Sequence, residues 1–234
     1  MNPTRRKLSL ALLALPAGCA YQPLGGLRTE AAAAPAQTVG LRPPALGQRW
    51  TYRKYNGYNS ALLGTEVQEV VALEPRIRIR IRSDASPAEL EEQQQPWGQV
   101  LREFAWDGVL NYEQAMPLWP ADPRPGSRSV HSTTYRIDND SFRYWITQHT
   151  TVQGWERVAL ANGPQLALRI EKFIRLQHRD VSRTETLRRD TLWLAPEIGR
   201  WVAREITGEY RVSTGRGLSR LREDWHRWEL VSWA

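Results

Sequence analysis

The sequence predicts an all-β domain: a curved antiparallel meander, shaped as a half-barrel or open barrel, of about ten strands with at most one or two short helices. Three observations predict it. From Gln48 onward apolar residues recur at every second position, the period of a half-buried strand. Turn signals sit between these runs at Asp107-Gly108, at Asn162-Gly163 and across Ala195-Pro196-Glu197-Ile198-Gly199, so consecutive strands pair as hairpins. Only the stretch beginning Ser86-Pro87-Ala88-Glu89 carries a clear helix start, with a cap, a first-turn proline and a capping-box glutamate.

Taken in order, the plainest strand is Arg76-Ile77-Arg78-Ile79-Arg80-Ile81-Arg82, with three isoleucines on one face and four arginines on the other. Phe142, Tyr144, Ile146 and Val152 alternate with Arg143, Thr147 and Thr151. Leu166, Leu168, Ile170, Ile174 and Leu176 alternate with Arg169, Glu171 and Arg175, although Lys172 interrupts the apolar face. Val202, Ile206, Tyr210 and Val212 alternate with Glu205, Glu209 and Arg211. The turn signals join residues 101–106 to 109–114, residues 155–160 to 166–177, and residues 186–194 to 200–212. A helix over residues 86–95 would lie as a lid on the mouth of the sheet or simply connect two strands. Asp138-Asn139-Asp140-Ser141 lacks the glycine and distal glutamate of a calcium loop and reads as a hairpin turn.

The chain has 234 residues, and removing the first 45 leaves one domain's worth with enough length for a core. The formal charge is +7. Arg5, Arg6 and Lys7 supply three of those charges and lie in the N-terminal segment, so the remaining chain is only mildly basic, which argues against nucleic acid as a partner. Only Lys7, Lys54 and Lys172 among the 32 basic residues are lysines. Eleven tryptophans stand against three phenylalanines, and an indole buries well only where its N–H finds a partner. With Cys19 the single cysteine, the fold holds no internal disulfide.

The N-terminus reads as an address. Residues 1–7 are basic, residues 8–15 form an apolar run too short to span a bilayer, and Pro16-Ala17-Gly18-Cys19 is a small-residue cleavage region. Ala17-Gly18-Cys19 resembles the lipobox of bacterial lipoproteins, with Pro16 where leucine is usual. That resemblance implies a signal peptide over residues 1–18 and a Cys19 carrying acyl chains such as palmitate. With Ala20 next, it also implies delivery to the periplasmic side of the outer membrane. Gly18-Cys19-Ala20 fits ordinary signal cleavage as well, which would leave a soluble periplasmic protein. Thr4-Arg5-Arg6-Lys7-Leu8 looks like a twin-arginine export motif, so the export route stays open. Residues 19–45, rich in Gly, Ala and Pro, are expected to be a disordered tether reaching roughly 25–30 Å. Residues 46–234 form the domain.

Two stretches carry a second resemblance. Leu46-Gly47-Gln48-Arg49-Trp50-Thr51-Tyr52-Arg53, and Thr191 through Val202 with its Trp193-Leu194-Ala195-Pro196-Glu197-Ile198-Gly199 hairpin, are similar to uncharacterised proteobacterial lipoproteins and periplasmic domains. The implied fold is a curved antiparallel sheet like that of the lipoprotein localisation factors, whose concave face holds acyl chains.

Chemistry is sparse. No nucleophile elbow, zinc-protease helix or phosphate loop occurs, and His131, His149, His178 and His226 lie on separate strands, so neither an enzyme, a metal nor a cofactor is expected. Glu89, Glu91 and Glu92 form an acidic cluster that is either the wet side of the helix or docks on the arginine face. The function expected is an anchored, non-enzymatic binder of an apolar ligand or envelope partner in the sheet's concavity, lined by Ile77, Ile79, Ile81, Leu168, Ile170 and Val202. The alternative is a glycan or peptidoglycan module stacking sugars on exposed Trp145, Trp193 and Trp201.

Overall fold

The computed structural model describes residues 26–36, 40–105, 108–214 and 217–234. Its strands are β1 (Thr29–Ala31), β2 (Arg49–Asn56), β3 (Leu62–Ala72), β4 (Ile77–Ser83), β5 (Ser86–Gln94), β6 (Gln99–Ala105), β7 (Gly108–Pro117), β8 (Arg128–Ile137), β9 (Tyr144–Leu160), β10 (Gly163–Leu176), β11 (Arg183–Ala195), β12 (Arg200–Thr214), β13 (Gly217–Arg222) and β14 (His226–Trp233). Among the described residues there is no helix. The all-β, antiparallel expectation holds, with one difference. The meander closes completely: β8 pairs β9, and β14 pairs both β12 and β2, giving a ring of 12 strands. Closure removes the long free edges that an open sheet of this size would expose to other chains.

Strand alternation sorts side chains into lumen and exterior. On β10 and β11 the pairs Leu168↔Leu194, Ile170↔Leu192, Lys172↔Asp190 and Ile174↔Arg188 all face inward. The hairpins at Asn162-Gly163 and at residues 195–199 form as expected. Asp107 lies outside the described residues, while the strands on either side of it pair Phe104↔Val109. Asp138-Asn139 turns β8 into β9, with Asn139 at φ 66. The β9–β10 and β11–β12 turns lie at the tether end of the barrel, so named because the N-terminal segment joins the fold there.

Residues 86–94 are strand where the sequence predicts a helix. They form β5, and the helix-start signature is overridden by pairing with β4, Ile81↔Leu90, Ile79↔Glu92 and Ile77↔Gln94. The strand is invisible to a search for apolar alternation because two of its inward residues, Glu92 and Gln94, are polar and buried. Glu89 and Glu91 face outward against the arginine stripe, with Arg78–Glu91 at 2.7 Å, Arg80–Glu89 at 3.1 Å and Arg82–Glu89 at 2.8 Å. The acidic cluster therefore docks on the arginines, apart from Glu92.

The expected tether is also shorter than its composition suggests. β1 adds to β9 through Thr29↔Val158, Glu30↔Arg157 and Ala31↔Glu156, just past the point where β8 stops pairing. The ladder groups that β9 leaves open there accept a strand of any composition, since the bonds are backbone ones. Leu27 and Leu41 pack on the core, and Arg42 N–H donates to Pro196 O at 2.9 Å. Residues 19–25 and 37–39 lie outside the described residues.

Gly199 shows why the β11–β12 turn ends in glycine. Its φ is +77, and a Cβ there would stand 2.4 Å from the Arg42 carbonyl oxygen. A G199A chain should lose about 2 kcal/mol or more of stability, read as a lower denaturant midpoint with unchanged far-UV circular dichroism. An unchanged midpoint would refute this account of the turn.

Candidate functional site

The lumen is the place where a guest is expected. Mid-barrel, three neighbouring strands each send a charged side chain into it. Lys172 Nζ stands 2.5 Å from Asp190 Oδ2, and Arg204 grips the same carboxylate with Nε–Oδ1 at 3.0 Å and Nη2–Oδ2 at 2.8 Å. From the opposite wall Glu103 accepts a bond from the Tyr112 hydroxyl at 2.7 Å, and its other oxygen lies 3.9 Å from Arg204. Burial alone would raise the Asp190 pKa, but Arg204 and Lys172 outweigh it and hold the carboxyl down to about 2. Burial pulls Lys172 below the usual lysine range despite Asp190, and burial raises Glu103 despite Arg204. Burial also raises Tyr112, which Glu103 reinforces. The arrangement fixes Asp190 as an anion between two cations.

Two further ion groups fill the ends. Away from the tether, Arg188 binds Glu223 through Nε–Oε2 at 2.6 Å and Nη2–Oε1 at 2.8 Å, and Arg183 reaches the same carboxylate at 2.8 Å. At the tether end Arg200 is fully buried and donates to Gln68 at 2.9 Å and Glu92 at 3.3 Å. Its guanidinium also lies 5.0 Å from the Trp50 ring centroid and 5.6 Å from those of Trp97 and Trp201. Indole faces stand in for part of the solvation that burial removes. Trp97 closes the cage by donating to Gly199 O at 3.0 Å, and Tyr52 stacks on Trp201 at 4.0 Å.

The six residues expected to line a ligand face all belong to the core. Ile79, Leu168, Ile170 and Val202 are buried, and Ile77 and Ile81 are half-buried against the same cluster. The cavity beside the mid-barrel ions, bordered by Glu103, Tyr112, Met116, Ile174, Asp190 and Arg204, has about 20 Å³ of free volume. That is room for a single water, far below the few hundred Å³ of a typical ligand pocket. Sequence reasoning missed the ionic lumen, although Lys172 breaking the apolar face of its strand was the signal for it.

The three-tryptophan glycan surface does not assemble. Trp145 is exposed, but Trp193 is buried and donates its indole N–H to Glu156 at 2.7 Å, and Trp201 lies in the Arg200 cage. Among the described residues no three His, Cys, Asp or Glu side chains gather as a metal site. On the outer wall His149, Thr151, Glu171, Phe173, Arg189 and Thr191 border an open depression of about 140 Å³, with Arg189 6.0 Å over the Phe173 ring. One group of exposed apolar side chains lies at the end away from the tether. There Tyr58 and Leu62 border the β2–β3 turn, Leu218 and Leu221 sit on β13, and Phe142 precedes β9. Tyr58 ties the first two groups together by donating to Glu223 O at 2.8 Å and meeting Trp225 edge-on at 5.6 Å.

Fold and lumen together define a closed antiparallel barrel with an ion-paired interior. Solved structures of similar shape exist. One is a protein classed as exported, with a YmcC-like fold, from Bacteroides fragilis NCTC 9343, at 11% identity and TM-score 0.50, covering 84% of this chain and 100% of its own. Another is a protein classed as a lipoprotein from Parabacteroides distasonis ATCC 8503, also at 11% identity and TM-score 0.50, covering 85% of this chain and 100% of its own. At such identity the likeness speaks for the fold. No family profile and no curated protein matches the sequence.

The mid-barrel ions make an asymmetric prediction. D190N strands Lys172 and Arg204 together and should cost about 3–5 kcal/mol, whereas K172M leaves Asp190 paired with Arg204 and should cost clearly less. Because the Asp190 pKa is lowered in the fold, its contribution is complete above the unfolded value near 4 and is lost as pH falls towards about 2. Urea midpoints between pH 5 and 2 should therefore fall more steeply for the unmodified chain than for D190N. Parallel pH curves, or K172M the worse of the two, would refute the assignment.

Proposed function

We propose that this chain is an exported envelope lipoprotein, anchored through acylated Cys19, whose barrel is a rigid, non-enzymatic module that binds an envelope partner on its outside. The signal-like residues 1–18 and the position of the only cysteine support the anchor. The exported protein and the lipoprotein of similar shape are consistent with that address. One observation carries the choice of partner over apolar guest: the Lys172–Asp190–Arg204 group occupies the middle of the lumen, and the cavity beside it has room for one water. An acyl chain there would have to displace paired ions and leave them unsolvated, at a cost of several kcal/mol each. Ile77, Ile79, Ile81, Leu168, Ile170 and Val202 then serve as wall packing. The exposed apolar corner formed by Tyr58, Leu62, Leu218 and Leu221 is the surface offered to a protein partner.

Native mass spectrometry of the chain purified from envelopes tests this directly. The expected spectrum shows the mature polypeptide plus covalently bound acyl mass and nothing held non-covalently. A stoichiometric co-purifying lipid, released on denaturation, would restore the carrier reading; loss of Cys19 without acyl mass would remove the anchor.

A further inference from the structure

The N-terminal segment joins the barrel at one end only. Ala159 N–H donates to Arg28 O at 2.9 Å, and Thr29 lies opposite Val158, two residues before β9 finishes. The chain therefore leaves the barrel at the tether end, beside the β9–β10 turn. From Cys19 to Gly26 is seven residue steps, and a fully extended chain of that length spans at most about 25 Å. A bilayer holding acyl chains on Cys19 is confined to that distance from this end.

The same end carries a compact set of exposed side chains. Arg49 and Ala234 exchange backbone bonds at 2.9 and 3.0 Å, and Gly47 N–H donates to Val70 O at 2.8 Å. Those bonds place Trp233, Leu46 and Leu73 on the ends of three adjacent segments, within roughly 10 Å of strand spacing. Their exposures are 39%, 67% and 38%. Arg42, pinned through its N–H to Pro196 O at 2.9 Å, lays its guanidinium 5.0 Å over the Trp233 ring. Among the described residues no carboxylate pairs with it. An indole with one wet edge, two leucines and a guanidinium without a carboxylate are the groups that settle at the headgroup level of a bilayer. The ring sits among the headgroups while the cation meets phosphate.

We propose that the tether end of the barrel rests on the phospholipid leaflet, with Trp233, Leu46 and Leu73 in the headgroup layer and Arg42 on lipid phosphate. This rests on the reading that Cys19 is acylated. It adds an orientation: the ion-caged end faces the membrane and the apolar corner at Tyr58 and Leu218 faces away from it.

The test uses the full acylated chain, with its intact mass recorded, in vesicles of phosphatidylethanolamine and phosphatidylglycerol carrying bromine at the headgroup end of the acyl chains. Bromine quenches only nearby indoles. Tryptophan quenching is expected in the unmodified chain, and W233F should lower the quenched fraction by about half while leaving vesicle binding and far-UV circular dichroism unchanged. R42E should lower it similarly, and W145F, whose ring lies at the opposite end, should not. An acylated, vesicle-bound chain whose quenching is absent, or is the same in W233F, overturns the orientation and leaves the anchor standing. A chain without acyl mass that stays off the vesicles overturns both.

Discussion

A closed barrel imposes one demand on the charged side chains it buries: each must find an opposite charge inside. Asp190 is where that demand is met most tightly, since it is held by Lys172 from β10 and Arg204 from β12 on either side of its own strand. Take away the carboxylate and two cations are left facing each other out of water, which is a larger loss than any single wall contact. Around this group the rest of the interior is arranged by charge as much as by volume. Glu103 and Tyr112 complete it from the opposite wall, and Arg188 with Glu223, and Arg200 with Glu92, repeat the neutralisation at the two ends. The aliphatic residues fill the layers between.

The tryptophan-rich composition finds its explanation at the tether end. Trp50, Trp97 and Trp201 surround Arg200, while Trp119 meets Trp97 edge-on at 5.5 Å. Gly98 lets that contact happen, since a Cβ there would stand 2.3 Å from the Trp119 indole nitrogen. The Trp193-to-Gly199 hairpin, a strand-and-turn motif in the sequence, supplies the carbonyl that Trp97 needs.

Much of the architecture is legible in residues whose environment matches their chemistry. The Ile77-Ile79-Ile81 stripe, the aliphatic face of β10 and the Asn162-Gly163 turn are strand and hairpin signals that tertiary contacts reinforce. Legibility ends where the lumen is polar. β5 presents Leu90, Glu92 and Gln94 inward, so its alternation carries no apolar signature, and the local Ser-Pro-x-Glu pattern points to a helix instead. β1 is hidden for a related reason: it is held by backbone bonds to β9 and needs no apolar period at all. The six candidate ligand residues do share the packed face of their strands. No local pattern in them reveals that Lys172, Asp190, Arg204 and Glu103, distant in sequence, converge to occupy the space they enclose.

The seam between β14 and β2 has a temporal side. It zips residues 226–233 against residues 50–56, so the ring stays open until β14 is present. Hairpins such as β9–β10 form from neighbouring residues at little entropic cost, whereas this joint must gather segments some 170 positions apart. Assembly is thus gated by its last strand. A polypeptide crossing a membrane N-terminus first would close its ring only once β14 had followed β2 through.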